Sequence, residues 1–185
     1  MSISAAEPES IKVSLAGHTS GWEIAGSFLE LLLLSLWLGG MIFFAFSVAP
    51  SAFAVLPTRH LAGLVVTSTL SKLELIGLFA GPLLIVAALA GTRGARSREG
   101  RVSRIVRIAL LAIMTSAAGL SRYAITPTMV SLRNSMNDLI DNVPASDPLR
   151  MEFDRLHQYS VGLMSLAMFA GLVVLFLTVR SLKRS

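Results

Sequence analysis

Polar side chains that could carry chemistry cluster at the ends of long apolar segments. Glu74 lies near the start of the second segment, Arg122 and Tyr123 end the third, and His157 and Ser160 precede the fourth. Ionisable groups are expensive inside a membrane and are therefore candidates for a functional site. We predict that these five residues form a polar layer at the outer membrane boundary, with Glu74 paired to Arg122. The alternative is that they form interhelical hydrogen bonds that only fix the helix register.

Metal and haem ligands are scarce. His60 and His157 are weak candidates, because neither belongs to an H-x-x-x-H or Glu-x-x-His pattern and the chain has no cysteine. Thioethers suit Cu(I), but methionine at helical spacing is more often core filler. Four methionines could serve either purpose: Met129, Met136, Met151 and Met164. We predict no cofactor, with haem b or copper as the alternative.

The familiar catalytic templates are missing from the sequence. It contains no G-x-x-x-x-G-K-[ST], no G-x-S-x-G and no dinucleotide-binding fingerprint. Asp138 and Asp141 lie on an amphipathic surface helix, which does not favour a paired-carboxylate site. The residues therefore favour a protein that is not an enzyme.

The elements that position the polar layer are four apolar helices. Residues 31–49 carry no charge, and about 20 such residues cross a bilayer core of about 30 Å. We predict an all-α, integral membrane four-helix bundle over residues 21–182 that extends beyond the outer leaflet. Residues 1–20 would form a polar tail. The predicted spans are 25–49, 68–91, 104–122 and 159–180.

Helical periodicity predicts which faces point inward. Glu74 shares a face with Gly63, Thr67, Gly77 and Gly81, whereas Lys72 lies on the opposite side and can reach the headgroups. Four glycines are predicted to allow close helix packing: Gly39, Gly40, Gly77 and Gly81. One stripe of the third helix continues past the membrane through Arg122, Thr126, Met129, Arg133, Met136 and Ile140. On the fourth helix the stripe is Leu149, Phe153, Leu156 and Ser160.

Helix breakers and caps give further expectations. Pro50 is expected to kink the first helix or to mark its exit from the bilayer. Asp147 and Pro148 suit the N-cap and first position of the fourth helix.

Basic residues predict the orientation. Six of the sixteen lysines and arginines lie between Arg93 and Arg107. The positive-inside rule then places this loop and both termini in the cytoplasm of a multi-pass cell-membrane protein. Glu30 is expected to pair with one of these arginines. The predicted partner is the lipid bilayer and not nucleic acid, and a homo-oligomer stays open.

Four segments together resemble one family: LWLGGMIFFAFSVAPSAFAVLP, HLAGLVV, RYAITPTMVSLR and LRMEFDRLHQYSVGLMSL. They are similar to the transmembrane protein 205-like family, a domain of unknown function, which implies a four-helix membrane fold. The chain more distantly resembles the copper-resistance-D-like superfamily, which includes a haem-containing protoporphyrinogen oxidase. The histidine in the first helix of that enzyme is replaced here by Glu30 or Ser35, so that the haem site does not carry over by position.

Three functions are compatible with these sequence features. The first is a non-enzymatic binding, stress-tolerance or scaffold protein. The second is a haem- or copper-binding membrane oxidoreductase. The third is a small transporter that uses Glu74 as its coupling carboxylate.

Overall fold

The computed structural model describes residues 21–90, 98–136 and 140–182. It confirms the all-α bundle, and the described residues contain no strand. The elements are α1 Gly21–Phe43, a π-helical turn Phe44–Val48, α2 Ala49–Val55, α3 Arg59–Ala90, α4 Arg98–Leu120, a second π-helical turn Ser121–Ile125, α5 Thr126–Ser135 and α6 Pro148–Leu182. They form four continuous helices, in which α1 and α2 make the first, α3 the second, α4 and α5 the third, and α6 the fourth.

Each of the four helices is long and apolar enough to cross a membrane. The candidate spans are Ala25–Val55, Arg59–Leu89, Gly100–Ser135 and Pro148–Ser181. The shortest of them has 31 residues, or about 46 Å at about 1.5 Å per residue, which exceeds a bilayer core of about 30 Å. The predicted tail over residues 1–20 and the loop around Arg93 lie outside the described residues.

The apolar residues are divided between a packed centre and a surface that suits lipid. The centre is small and tightly closed, with Leu34, Trp37, Leu111 and Met114 at most 1% exposed. The outer surface instead presents large apolar side chains such as Phe46, which is 75% exposed. A water-soluble protein would not leave so many large apolar residues uncovered. The fold is therefore that of a membrane protein.

The two π-helical turns each precede a proline. Proline cannot donate a backbone hydrogen bond, and its ring clashes with the carbonyl four residues earlier. For Pro50 and Pro127 those carbonyls belong to Phe46 and Tyr123, which lie inside the π-helical turns. The wider turn accommodates each proline, so that the first helix continues to Val55 instead of ending at Pro50.

The helix ends on the predicted outer side are capped by side chains. Asp147 Oδ1 accepts hydrogen bonds from the backbone N–H groups of Leu149 at 2.8 Å and Arg150 at 3.3 Å, which confirms the predicted N-cap. The start of the second helix is capped by a residue from the loop before the fourth helix. Asp141 accepts from the backbone N–H groups of Arg59 and His60, each at 3.2 Å. The loop before the fourth helix is thereby tied to the second.

At the opposite end of the bundle Glu30 pairs with Arg107, which is one of the arginines predicted as its possible partners. The carboxylate and guanidinium are 13% and 11% exposed and form both an ion pair and a hydrogen bond. Arg107 belongs to the third helix itself. This buried pair joins the first helix to the third.

Candidate functional site

Three polar side chains from three different helices line one cavity inside the bundle. Glu74, Ser121 and Ser160 are 5%, 6% and 7% exposed. The cavity has a volume of about 30 Å³, and the rest of its wall is apolar, including Trp37 and Met164. We call it the Glu74 cavity, defined by these five residues. A few polar groups in an apolar wall are typical of a ligand site.

The Glu74 carboxylate is only half satisfied by protein. Ser121 Oγ donates a hydrogen bond to Glu74 Oε1. Glu74 Oε2 is buried and has no hydrogen-bond partner among the described residues. Buried polar atoms almost always have a partner, because leaving one unpaired costs free energy. This atom therefore marks a place where a proton, a water molecule or a ligand can bind.

Ser121 is the residue that the sequence argument missed. It is the first residue of the second π-helical turn. A signal was available, because Ser121 follows Met114 and Ala117 at helical spacing and precedes Ile125 by four residues. All four are buried. The predicted inward stripe instead ran through Arg122, on the neighbouring face of the helix.

Arg122 and Glu74 have different hydrogen-bond partners, contrary to the predicted direct pair. Arg122 Nη1 donates to the backbone carbonyl of Ser71 at 2.8 Å. The guanidinium still acts on the Glu74 carboxylate electrostatically. The reason is rotational, because Ser121, one residue earlier on the helix, takes the position facing Glu74. Arg122 therefore lies at the edge of the Glu74 cavity and not on its wall.

Tyr123 and His157 are the predicted residues that do not join the site. Tyr123 is 71% exposed, and His157 is also exposed. Successive helical residues are turned by about 100°. Tyr123 therefore faces away when Ser121 and Ile125 face the bundle. Lys72 is exposed, as predicted.

At two of the four predicted packing glycines, a neighbouring side chain occupies the space that a Cβ would need. A Cβ at Gly77 would lie 2.5–2.7 Å from the Trp37 indole, and one at Gly81 would clash with Thr115. At Gly40 the nearest atom would be Leu73 Cδ1 at 2.9 Å. Gly39 is exposed, and no such atom of the described residues lies within 4 Å of it.

The weak metal candidates are far less organised than the Glu74 cavity. His60 is half-buried with its Nδ1 unpartnered, whereas His157 is exposed. Of the four methionines considered for copper, Met164 lines the cavity and Met151 is 58% exposed. Within the described ranges, no three His, Asp or Glu side chains are grouped to hold a metal ion.

Comparison with known proteins identifies the family. A family model described as "Domain of unknown function (DUF4149)" matches residues 32–138. No curated protein and no solved structure matches the chain. The matched region contains Trp37, Glu74 and Ser121, and the fourth helix lies beyond it. Because the match spans more than half of the 185 residues, the chain belongs to the DUF4149 family.

Proposed function

We propose that this protein is a non-enzymatic binding protein of the membrane and that the Glu74 cavity is its binding site. The observation that carries the proposal is the half-satisfied Glu74 carboxylate beside a cavity, within a candidate membrane span. A purely structural carboxylate would have both oxygens engaged, because an unpaired one is costly.

The test separates a binding carboxylate from a structural one. Glu74→Gln keeps an acceptor for Ser121 but removes the charge. We expect its free energy of unfolding in detergent to stay within about 1 kcal/mol of wild type, because the Ser121 hydrogen bond survives. Lys72→Gln is the matched control on the exposed face, with an expected change within about 0.5 kcal/mol.

A structural role gives a different result. If Glu74 were one half of an obligatory ion pair with Arg122, Glu74→Gln would cost about 3–5 kcal/mol. Arg122→Gln would cost a similar amount, and the double variant less than the sum. That pattern would refute the proposal.

A small transporter is the second candidate, and the position of Glu74 favours it. Carboxylates inside membrane spans mark ion and substrate pathways. Proteoliposomes that contain a pH-sensitive dye would report Glu74-dependent flux. Equal flux in wild type and Glu74→Gln would remove this candidate.

The oxidoreductase is the remaining alternative and rests on the distant resemblance alone. An absorption spectrum and metal analysis of the purified protein test it directly. A stoichiometric Soret band or bound copper would establish it in place of the binding role.

A further inference from the structure

Glu74 belongs to the wall of the Glu74 cavity, and its Oε2 is buried. A water molecule needs about 10–15 Å³ of cavity volume. At about 30 Å³ the Glu74 cavity has room for a water molecule. It is too small for an organic ligand without rearrangement.

The groups that surround Glu74 can be followed helix by helix. The first helix contributes Trp37 and the fourth contributes Ser160, both uncharged. The third helix contributes Ser121 and the one charged neighbour, Arg122. On its own helix the closest ionisable residue, Lys72, is exposed. Among the described residues, Arg122 is thus the charge that acts on the site, and the Ser71 carbonyl holds it away from Oε2.

The oxygen atoms around the cavity select the chemical class of ligand. A hard cation such as Ca²⁺ needs six or more oxygen ligands, whereas the side chains that line the Glu74 cavity supply oxygens from Glu74, Ser121 and Ser160. A proton needs a single lone pair, and Oε2 has one free.

We propose that Glu74 takes up and releases a proton through water in the Glu74 cavity, which makes it a proton-binding site within the membrane. In the uptake step a hydronium ion transfers its proton to Oε2. One O–H bond forms, one breaks and a water molecule is left. The inference rests on the proposed function, because it names the ligand of the same site.

Infrared spectroscopy of the full chain in lipid tests the proposal. A protonated carboxylic acid gives a carbonyl stretching band that shifts when the proton is exchanged for deuterium. We expect this band to change in intensity between about pH 4 and about pH 9, a range that includes the ordinary pKa of a glutamate side chain. Glu74→Gln should lack the change, and Lys72→Gln should keep it. The band should shift in D₂O.

A second readout uses Trp37, which lines the cavity. The chain has two tryptophans, so that Trp22→Phe leaves Trp37 as the sole fluorophore. Its emission should change with pH in that background and lose the change when Glu74→Gln is added. Filling the cavity by Ala117→Val should slow deuterium exchange of the Glu74 band.

The outcomes distinguish a failure of the proton site from a failure of the proposed binding function. A stable Glu74→Gln variant whose difference spectrum shows no titrating band at any pH overturns the proton site but leaves the binding role. A carboxylate band that responds to NaCl at fixed pH also overturns it, in favour of a metal cation. A Glu74→Gln variant that is strongly destabilised, to the same extent as Arg122→Gln, refutes the proposed function instead.

Discussion

Replacing Gly77 by alanine tests how the second helix packs against the first. A methyl carbon there would lie 2.5 Å from Trp37 Cζ2 and 2.7 Å from Nε1. Ordinary carbon contacts are about 3.5–4.0 Å. The indole is rigid and 1% exposed, so that it cannot move aside without disturbing the core. Overpacking of this kind costs about 1–3 kcal/mol, partly offset by about 0.5–1 kcal/mol from replacing glycine in a helix.

The expected net loss for Gly77→Ala is therefore about 1–2 kcal/mol. For a chain of this size it corresponds to a melting temperature lower by about 2–8 °C in detergent. Gly39→Ala is the matched control, because nothing lies within 4 Å of its built Cβ. It should be neutral or stabilising by up to about 1 kcal/mol.

Trp37→Leu should recover part of the loss when it is combined with Gly77→Ala, because the two sites are coupled. If Gly77→Ala were as stable as Gly39→Ala, the placement of Trp37 against the second helix would be wrong.

Three further predictions concern the ends of the bundle. Glu30→Gln and Arg107→Gln should each cost about 3–5 kcal/mol, because each leaves a buried charge, and the double variant should lose less than the sum in thermal melts. Asp141→Ala should cost about 0.5–2 kcal/mol, because it removes two of the hydrogen bonds that cap the second helix, and denaturation showing no loss would contradict that role. Cysteine labelling in intact cells should find Gly100 inside and Asn142 outside, and labelling of Gly100 from outside would overturn the predicted orientation.

The sequence was sufficient for architecture and for the inward faces of single helices. Uninterrupted apolar length determines that a helix can span a bilayer, and helical periodicity determines which residues share a face. Glu74, Phe153 and Ser160 are buried as predicted, and Lys72 is exposed. These properties belong to one helix at a time, so they could be predicted without knowing its neighbours.

Contacts between helices could not be predicted in the same way. The expected Glu74–Arg122 pair gives way to Glu74–Ser121 because the rotation of the third helix relative to the second brings Ser121 to face Glu74. Tyr123 faces away from the site for a related reason, because one step along a helix turns a side chain by about 100°.

Apolar length and periodicity by themselves determined that this is a four-helix membrane bundle with a carboxylate on an inward face. Only the tertiary structure decided that Glu74 Oε1 accepts from Ser121, whereas Oε2 has no partner among the described residues, and that Glu74 lines a small cavity. The physical reason is that burial depends on each helix alone, whereas hydrogen bonds depend on the rotation and depth of two helices together. A shift of one residue in either is enough to exchange one partner for another.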